Sequence, residues 1–420
     1  MSTALLFLSY HGPEEKSSGV RAGRLALAAS RVGMPTTIVH SAEKDERYVW
    51  RDAVDVRAFQ RTDPSAWRDQ HRPPAESYSS VNGSASGSRL ARALRRLARA
   101  ALQPDEMILS RSAFAAACIE ECRRLAVSYT NVVLVASGPP WSTSLVGTGL
   151  SVEEGLPLVL DFQDLWSLNP TTTWPLLGRM LARRWERRSL ALARGAIFVN
   201  EAVARRCESS FSRLTKLPHV VAPIGFEHDP AASLPVRPRK QLIIGHFGSI
   251  YGNRSFAGLL SACDALSSTS PRPVIHWYGE FLGDHPMKTI IPHYVRNGTL
   301  TISAPIGHAQ VCAKMAECDL LLTVPSPTYP EELTTKLYDY IDAGRPVLGI
   351  AAANSLLTRF LSLAGLGAAY APDDETGLRK FLQGCLRGAV EFRPNARYLK
   401  THQLPALGAA LRDLIGSIVC

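Results

Sequence analysis

The sequence predicts an α/β protein of two Rossmann-like lobes with a cleft between them, and three observations carry that prediction. Short apolar runs, each followed by a longer stretch of helical periodicity, recur from end to end. Continuous runs of this kind suit parallel strands covered on both faces, and their alternation with helices of ten or more residues points to βαβ units. The length, 420 residues, is enough for two or three domains, each able to bury a core. Finally, Glu227–Gln241 (EHDPAASLPVRPRKQ) is rich in proline and charge, and a fresh apolar run, LIIGHFGS, follows it at once. The lobes are therefore read as about 1–225 and 240–400, with residues 401–420 holding a last helix, Pro405–Val419, that packs back on the first lobe or across the cleft.

In chain order the predicted strands are Ala4–Ser9, Thr36–His40, Val132–Ala136, Leu156–Leu160, Ala196–Asn200, Val220–Ala222, Leu242–Phe247, Val274–Tyr278, Thr299–Ser303, Leu320–Thr323, Val347–Ile350 and Ala368–Ala371. The polar stretch Gln60–Ser88 interrupts the first lobe and is predicted to be a loop. No repeat of solenoid period is present. The opening, MSTALLFLSYHGPEEKSSG, has no basic lead and only a short apolar run, so it reads as a buried strand rather than a signal peptide. No window holds about 18 consecutive apolar residues, the length a membrane span needs.

Composition narrows the class. With 46% hydrophobic and 20% charged residues, the chain is neither disordered, fibrous nor a small disulfide scaffold. The formal charge of +10 predicts anionic company: nucleotides, nucleic acid or an anionic lipid surface. The eight cysteines make no CxxC pair, and the Cys118/Cys122 and Cys312/Cys318 spacings lack the second half of a zinc site. They read as small buried hydrophobes in a reducing, cytoplasmic setting.

In a doubly wound sheet the ligand sits beyond the carboxyl ends of the strands, so the residues just after each strand matter most. After the first strand, His11–Arg21 offers small residues before a helix, with Ser17 or Ser18 able to cap it and Gly19 beside them. Such residues let a ligand approach backbone amides, but a plain strand-to-helix loop needs the same ones. The most informative segment is Thr328–Ile350, TYPEELTTKLYDYIDAGRPVLGI. Thr334 or Thr335 is placed to cap a helix, Lys336 lies in its first turn, Asp339 lies further along it and Gly344 ends it. A helix N-terminus with hydroxyls around it suits a phosphate. Glu331 falls in the entry loop, eight residues before Asp339. The two carboxylates can accept hydrogen bonds from sugar or ribose hydroxyls, or serve as a cap and a solvent-facing helix charge.

At this point the residues resemble a known family. Glu331-x7-Asp339 inside PEELTTKLYDYIDAGRPVL is similar to the signature of the retaining GT-B glycosyltransferases of family four (glycosyl transferases group 1), many of which carry a run like PTKLFEYLAAGKPV. Other landmarks appear in register. Ser18-Gly19-Val20-Arg21 resembles the family's N-terminal glycine loop, and Ser137-Gly138-Pro139-Pro140 its Ser/Pro turn. Leu158–Trp166 (LVLDFQDLW) is similar to DLRDLW, and Pro223–Glu227 (PIGFE) to the PNGFD that closes the first lobe. Gly245–Arg254 (GHFGSIYGNR) resembles the opening of the nucleotide lobe, and Ala371–Asp374 the late V-P-x-D turn. The likeness covers roughly residues 1–380 and is weakest in 45–130.

The resemblance implies roles position by position. Asp339 would bind the ribose hydroxyls of a nucleotide-sugar donor, and Glu331 would contact the donor sugar. Arg254 and Lys336 would balance the pyrophosphate, assisted by backbone amides at Gly248, Thr334 and Thr335. Gln163 and Asp164 would serve the acceptor side, Asp164 facing the cleft or else capping the next element; Asp161 ends a strand. The GT-B resemblance implies no metal and no further cofactor, and it favours UDP as the family's most frequent donor nucleotide.

Three departures stand out: Asp339 replaces the usual second Glu, Gln163 replaces Arg or His, and Ile224 replaces the hinge Asn. They keep open two alternatives to a retaining glycosyltransferase: a relative with altered chemistry (coupling through nitrogen, or epimerisation), and a catalytically silent partner of an active enzyme. Two stretches, Arg89–Leu102 and Arg179–Arg194, concentrate arginine beside an apolar stripe. Either they lie on the anionic inner face of a membrane, near a lipid-linked acceptor, or they are ordinary surface helices. No nucleic-acid-binding module is recognisable. The acceptor expected is a saccharide, a lipid-linked saccharide or a small metabolite.

Overall fold

The protein is described by a computed structural model covering residues 2–60, 104–172, 174–238 and 240–419. The expected loop after Gln60 and the basic run Arg89–Leu102 lie outside the described residues. The chain divides into two compact units, Met1–Gly225 with Leu404–Cys420, and Phe226–Gln403.

In the first unit the strands are β1 (Thr3–Leu8), β2 (Thr36–Ala42), β3 (Glu46–Trp50), β4 (Val54–Gln60), β5 (Asn131–Gly138), β6 (Leu158–Phe162), β7 (Gly195–Phe198) and β8 (His219–Val221). They form one sheet in the order β3-β4-β2-β1-β5-β6-β7-β8. Leu5 of β1 lies opposite Thr36 on one side and Val133 on the other, both pairings being parallel. Ala4 to Leu8 are all buried, which explains the unbroken apolar run: helices cover both faces of a central strand, so neither face of the pleat is polar. The edge is different. β3 pairs antiparallel with β4, and its ERYVW is almost wholly exposed. Neither strand was predicted, because their charged residues break the apolar pattern.

The helix Lys16–Arg31 covers one face of this sheet, and the C-terminal helix Leu404–Val419 packs on it. Leu404, Leu407, Leu411, Leu414 and Ile415 form the buried stripe of the terminal helix, at the three- and four-residue spacing of one helical face, and join Leu25 and Ala29 in a single core. Gly408 permits the contact, since a Cβ there would come 2.3 Å from the Ala28 carbonyl oxygen.

In the second unit β9 (Leu234–Pro235) pairs antiparallel with β16 (Glu391–Phe392), so a strand lies within the expected linker Glu227–Gln241. The main sheet holds β10 (Gln241–Phe247), β11 (Arg272–Tyr278), β12 (Leu300–Ser303), β13 (Leu320–Thr323), β14 (Val347–Ile350) and β15 (Gly367–Tyr370). Their order, β12-β11-β10-β13-β14-β15, is the doubly wound 3-2-1-4-5-6 arrangement with every pairing parallel. The topological switch point falls between β10 and β13.

Local expectations need three corrections. The helix after β1 begins at Lys16 with Glu15 at the cap position, so Ser17 and Ser18 are inside it and cap nothing. No described helix starts near Asp164; the next one, Leu176–Leu192, follows Pro175, so Asp164 caps no helix. Cys118, Cys122, Cys207, Cys263, Cys318 and Cys385 are buried, but Cys312 is exposed.

Candidate functional site

The switch point of the second unit gathers most of the residues singled out in that half of the sequence. β10 ends at Phe247 and is followed by Gly248, whose φ of +121° favours glycine. The Gly248 amide donates to the Tyr278 carbonyl at 2.8 Å, and its own carbonyl accepts from Trp277 Nε1 at 2.8 Å. Held by both bonds, Gly248 turns its open side toward Lys336: a Cβ at this position would come 2.3 Å from Lys336 Cε and Nζ. The lysine ammonium therefore rests on the backbone at the carboxyl end of the central strand.

Lys336 is in the first turn of the helix Thr335–Asp342, with Thr334 at its N-cap. Thr334 Oγ1 lies 3.3 Å from Thr323 Oγ1 at the end of β13, and Thr335 Oγ1 is buried with no hydrogen-bond partner. The far side of the helix is anchored twice. Tyr340 donates its hydroxyl to the Leu322 carbonyl at 3.1 Å, bridging to β13, and Asp342 accepts from the Glu227 and His228 amides at 2.8 and 3.0 Å. The helix N-terminus and the strand ends thus share one rigid frame.

Around Lys336 stand Arg254, Glu332 and Asp339. Arg254 donates from Nη2 to both carboxylate oxygens of Glu332, at 2.7 and 3.0 Å, and its guanidinium lies 3.8 Å from the Tyr251 ring centre. Glu332 is held in turn by the Ser326 amide at 2.6 Å. Enclosure of the Lys336 ammonium against Gly248, together with Arg254, brings its pKa down to about 8, while Glu332 and Asp339 act in the opposite direction. His246 is buried beneath them. Its Nδ1 lies 2.9 Å from the Leu322 carbonyl and must donate to it, so Nε2 is an unprotonated acceptor in the neutral ring. Burial first, then Lys336 and Arg254, push the His246 pKa down to about 3. The cluster sets two cations, Lys336 and Arg254, at a helix N-terminus with the carboxylates Glu332 and Asp339 beside them; by charge the cations suit an anion, and carboxylates can accept from hydroxyl donors.

Sequence reasoning missed Glu332, Ser326 and His246. Glu332 is the informative miss. Of two adjacent carboxylates, it is Glu332 and not Glu331 that fixes Arg254; Glu331 stays half-buried in the same loop.

The remaining predicted residues belong to the first unit. Gln163 follows β6, donates its amide to the Gly138 carbonyl at 3.1 Å and keeps its side-chain Oε1 buried without a partner. Asp164 is half-buried in the following turn. Ser18 is buried, and Gly19 is demanded by packing, since a Cβ there would meet the Gly12 carbonyl oxygen at 1.9 Å. At the centre of this sheet lies a pair that spacing did not reveal. Arg21 donates from Nε to Asp161 Oδ1 and Oδ2 at 3.0 and 3.1 Å, and from Nη1 to the Ala222 carbonyl at 2.9 Å. Ser137 Oγ donates to Asp161 at 2.6 Å, and both ionic side chains are 0% exposed.

No family model matches the chain, and no curated protein matches it in sequence. Solved structures do match over its whole length. Sucrose-phosphate synthase from Thermosynechococcus elongatus superposes with a TM-score of 0.60 at 13% identity, covering 99% of this chain and 98% of that one. Anabaena HepE, solved in complex with UDP, gives 0.57 at 14% identity over 99% of this chain and 100% of that one. WaaG, a glycosyltransferase involved in lipopolysaccharide biosynthesis, gives 0.55 at 15% identity over 98% and 99% of the two chains. Sucrose-phosphate synthase and WaaG are GT-B glycosyltransferases, built of two Rossmann-like lobes. The chain shares their fold: it is a GT-B protein with two Rossmann-like lobes.

Proposed function

We propose that this protein is a glycosyltransferase that moves a sugar from a nucleoside-diphosphate donor, UDP-sugar favoured, to an acceptor hydroxyl with retention. The observation that carries the reading is Lys336 seated on Gly248 at the switch point, with Arg254 and the N-terminus of the helix Thr335–Asp342 beside it. In this reading the donor diphosphate meets Lys336, Arg254 and the amides of Thr334 and Thr335, which stabilise the charge that develops on the leaving phosphate. Glu332 keeps Arg254 oriented for that contact. Asp339 accepts from the ribose hydroxyls, and Glu331 from the donor sugar.

Gln163 and Asp164 serve the acceptor: a saccharide, a lipid-linked saccharide or a small metabolite, in assembly of a polysaccharide, a glycolipid or a glycosylated metabolite. The acceptor oxygen bonds to the anomeric carbon as the carbon–phosphate oxygen bond breaks on the same face, and the departing phosphate takes the hydroxyl proton. The helix terminus and the two cations do the work a metal does elsewhere, so the scheme includes no metal ion. We assign the reaction to the cytoplasm; no described helix is long and apolar enough to cross a membrane.

The test is thermal unfolding with UDP, GDP, dTDP and ADP, on the native chain and on Asp339→Ala. A nucleotide at about 100 times its dissociation constant adds about 2.7 kcal/mol to the stability of the state that binds it. The expected result is a shift with UDP, lost in the variant. No shift with any of the four overturns the reading and favours a silent partner of an active enzyme.

A further inference from the structure

The first unit carries a cavity of about 520 Å³ between the segment after β6 and the first turns of the helix Leu176–Leu192, a size typical of small-ligand sites. Its wall is mixed. Leu168, Leu176 and Met180 are apolar, whereas Arg179 and Arg183, one helical turn apart, supply two guanidinium groups. Ser167 lines it too: the residue is 8% exposed, and its hydroxyl is buried beside the Glu186 carboxylate.

Two features say what covers this face. The first is exposed apolar surface where a soluble helix would be polar: Leu176 is 75% exposed, Leu177 63% and Met180 62%. The second is uncompensated charge. Arg179, Arg183, Arg184, Arg187 and Arg188 share the helix with one acid, Glu186, which is turned inward and accepts from the Ser167 amide at 3.0 Å. Burial holds that carboxyl up at about 7. Among the described residues no carboxylate forms an ion pair with any of the five arginines. Arg183 is braced over the Phe211 ring at 5.3 Å, which fixes one guanidinium beside the cavity.

We propose that this face docks on an anionic lipid bilayer, with the phosphate of one lipid entering the cavity against Arg179, Arg183 and the Ser167 hydroxyl. Leu176, Leu177 and Met180 enter the acyl boundary beside it. The fit is one of charge and polarity together: an anion alone would leave three apolar side chains in water, and an apolar partner alone would bury two guanidinium groups unpaired. The proposal stands independently of the donor chemistry, because all of its residues are in the first unit.

Co-sedimentation with phosphatidylcholine vesicles, with and without phosphatidylglycerol, tests it. Binding is expected to the phosphatidylglycerol vesicles and not to phosphatidylcholine alone. Each arginine at an anionic surface is worth about fivefold in partitioning, so Arg179→Gln with Arg183→Gln should weaken binding roughly 30-fold. Leu176→Ser with Met180→Ser should weaken it by about tenfold or more through lost apolar burial. The control is Arg187→Gln with Arg188→Gln, the same charge change on the same helix outside the cavity, expected to cost less than about fivefold. Melting temperatures of the free variants verify that they fold. Equal loss in the control and the cavity pair overturns the proposal in favour of general charge attraction. So does absence of binding to phosphatidylglycerol vesicles, or complete displacement by inorganic phosphate, which would make the cavity a site for a free anion.

Discussion

The Arg21–Asp161 pair is the part of the first unit where a single change should cost most. Asp161 accepts from Arg21 Nε and Nη2 and from Ser137 Oγ, all out of contact with water. Asp161→Ala removes the charge partner and leaves the guanidinium with the Ala222 carbonyl as its remaining acceptor. An uncompensated buried charge of this kind typically costs about 3–5 kcal/mol. For a folding unit of this size each kcal/mol moves the melting temperature by about 2–4 °C, so a fall of roughly 6–20 °C is expected in the transition of the first unit. Because the loss comes from orphaning a charge, not from losing a net attraction, Arg21→Met together with Asp161→Leu should recover most of it. Scanning calorimetry on the native chain, the single variant and the double variant reads all three values. A single variant that melts within about 2 °C of the native chain, or a double variant that melts below the single one, refutes the reasoning. On the proposed reading a UDP-induced shift should survive in the double variant, since the residues proposed to meet the nucleotide are in the other unit.

Two further predictions concern titrating groups. Lys336 titrates near 8 in the free protein, and the negative charge of a bound diphosphate raises that value, so UDP affinity should be greatest below about pH 8 and fall above it, by up to about tenfold per pH unit. Calorimetric titration against pH reads this, and Lys336→Met should bind more weakly with a flat profile; a native profile flat above about pH 8 excludes the lysine contact. Glu186 has its folded-state pKa raised by burial from 4.5 to about 7, so the folded state holds the proton more tightly and stability should fall as pH rises from about 4.5 through 7. Glu186→Gln removes that fall and should stabilise the protein by up to about 3 kcal/mol above pH 7, measured by urea unfolding; a variant no more stable than the native chain at about pH 8 contradicts it.

Central parallel strands were legible because burial on both faces leaves a continuous apolar run. Leu320–Thr323 and Val347–Ile350 are found with their predicted bounds, and the other predicted strands within a few residues. The edge strand Glu46–Trp50 and its neighbour Val54–Gln60 were not, because charged residues such as Glu46, Arg47, Asp55 and Arg57 interrupt the apolar run. In the site, the helix bounds at Thr334 and Gly344 were readable, since helix ends depend on a few neighbouring residues, although the Thr334 side chain makes no capping hydrogen bond. The neighbours across the sheet were not.

The sequence by itself therefore determined what is local: where strands and helices fall, where the helix Thr335–Asp342 begins, and that both halves are α/β. Tertiary structure decided the partnerships. Arg21 finds Asp161 across 140 positions, Arg254 finds Glu332 across 78, and Lys336 comes to rest on Gly248. Glu331 and Glu332 are equivalent in any spacing argument, and only the direction of their side chains in the folded loop separates them. Periodicity is set by contacts within a turn or two of chain, whereas an ion pair is set by which strand ends the sheet order brings together, and that order is a property of the whole unit.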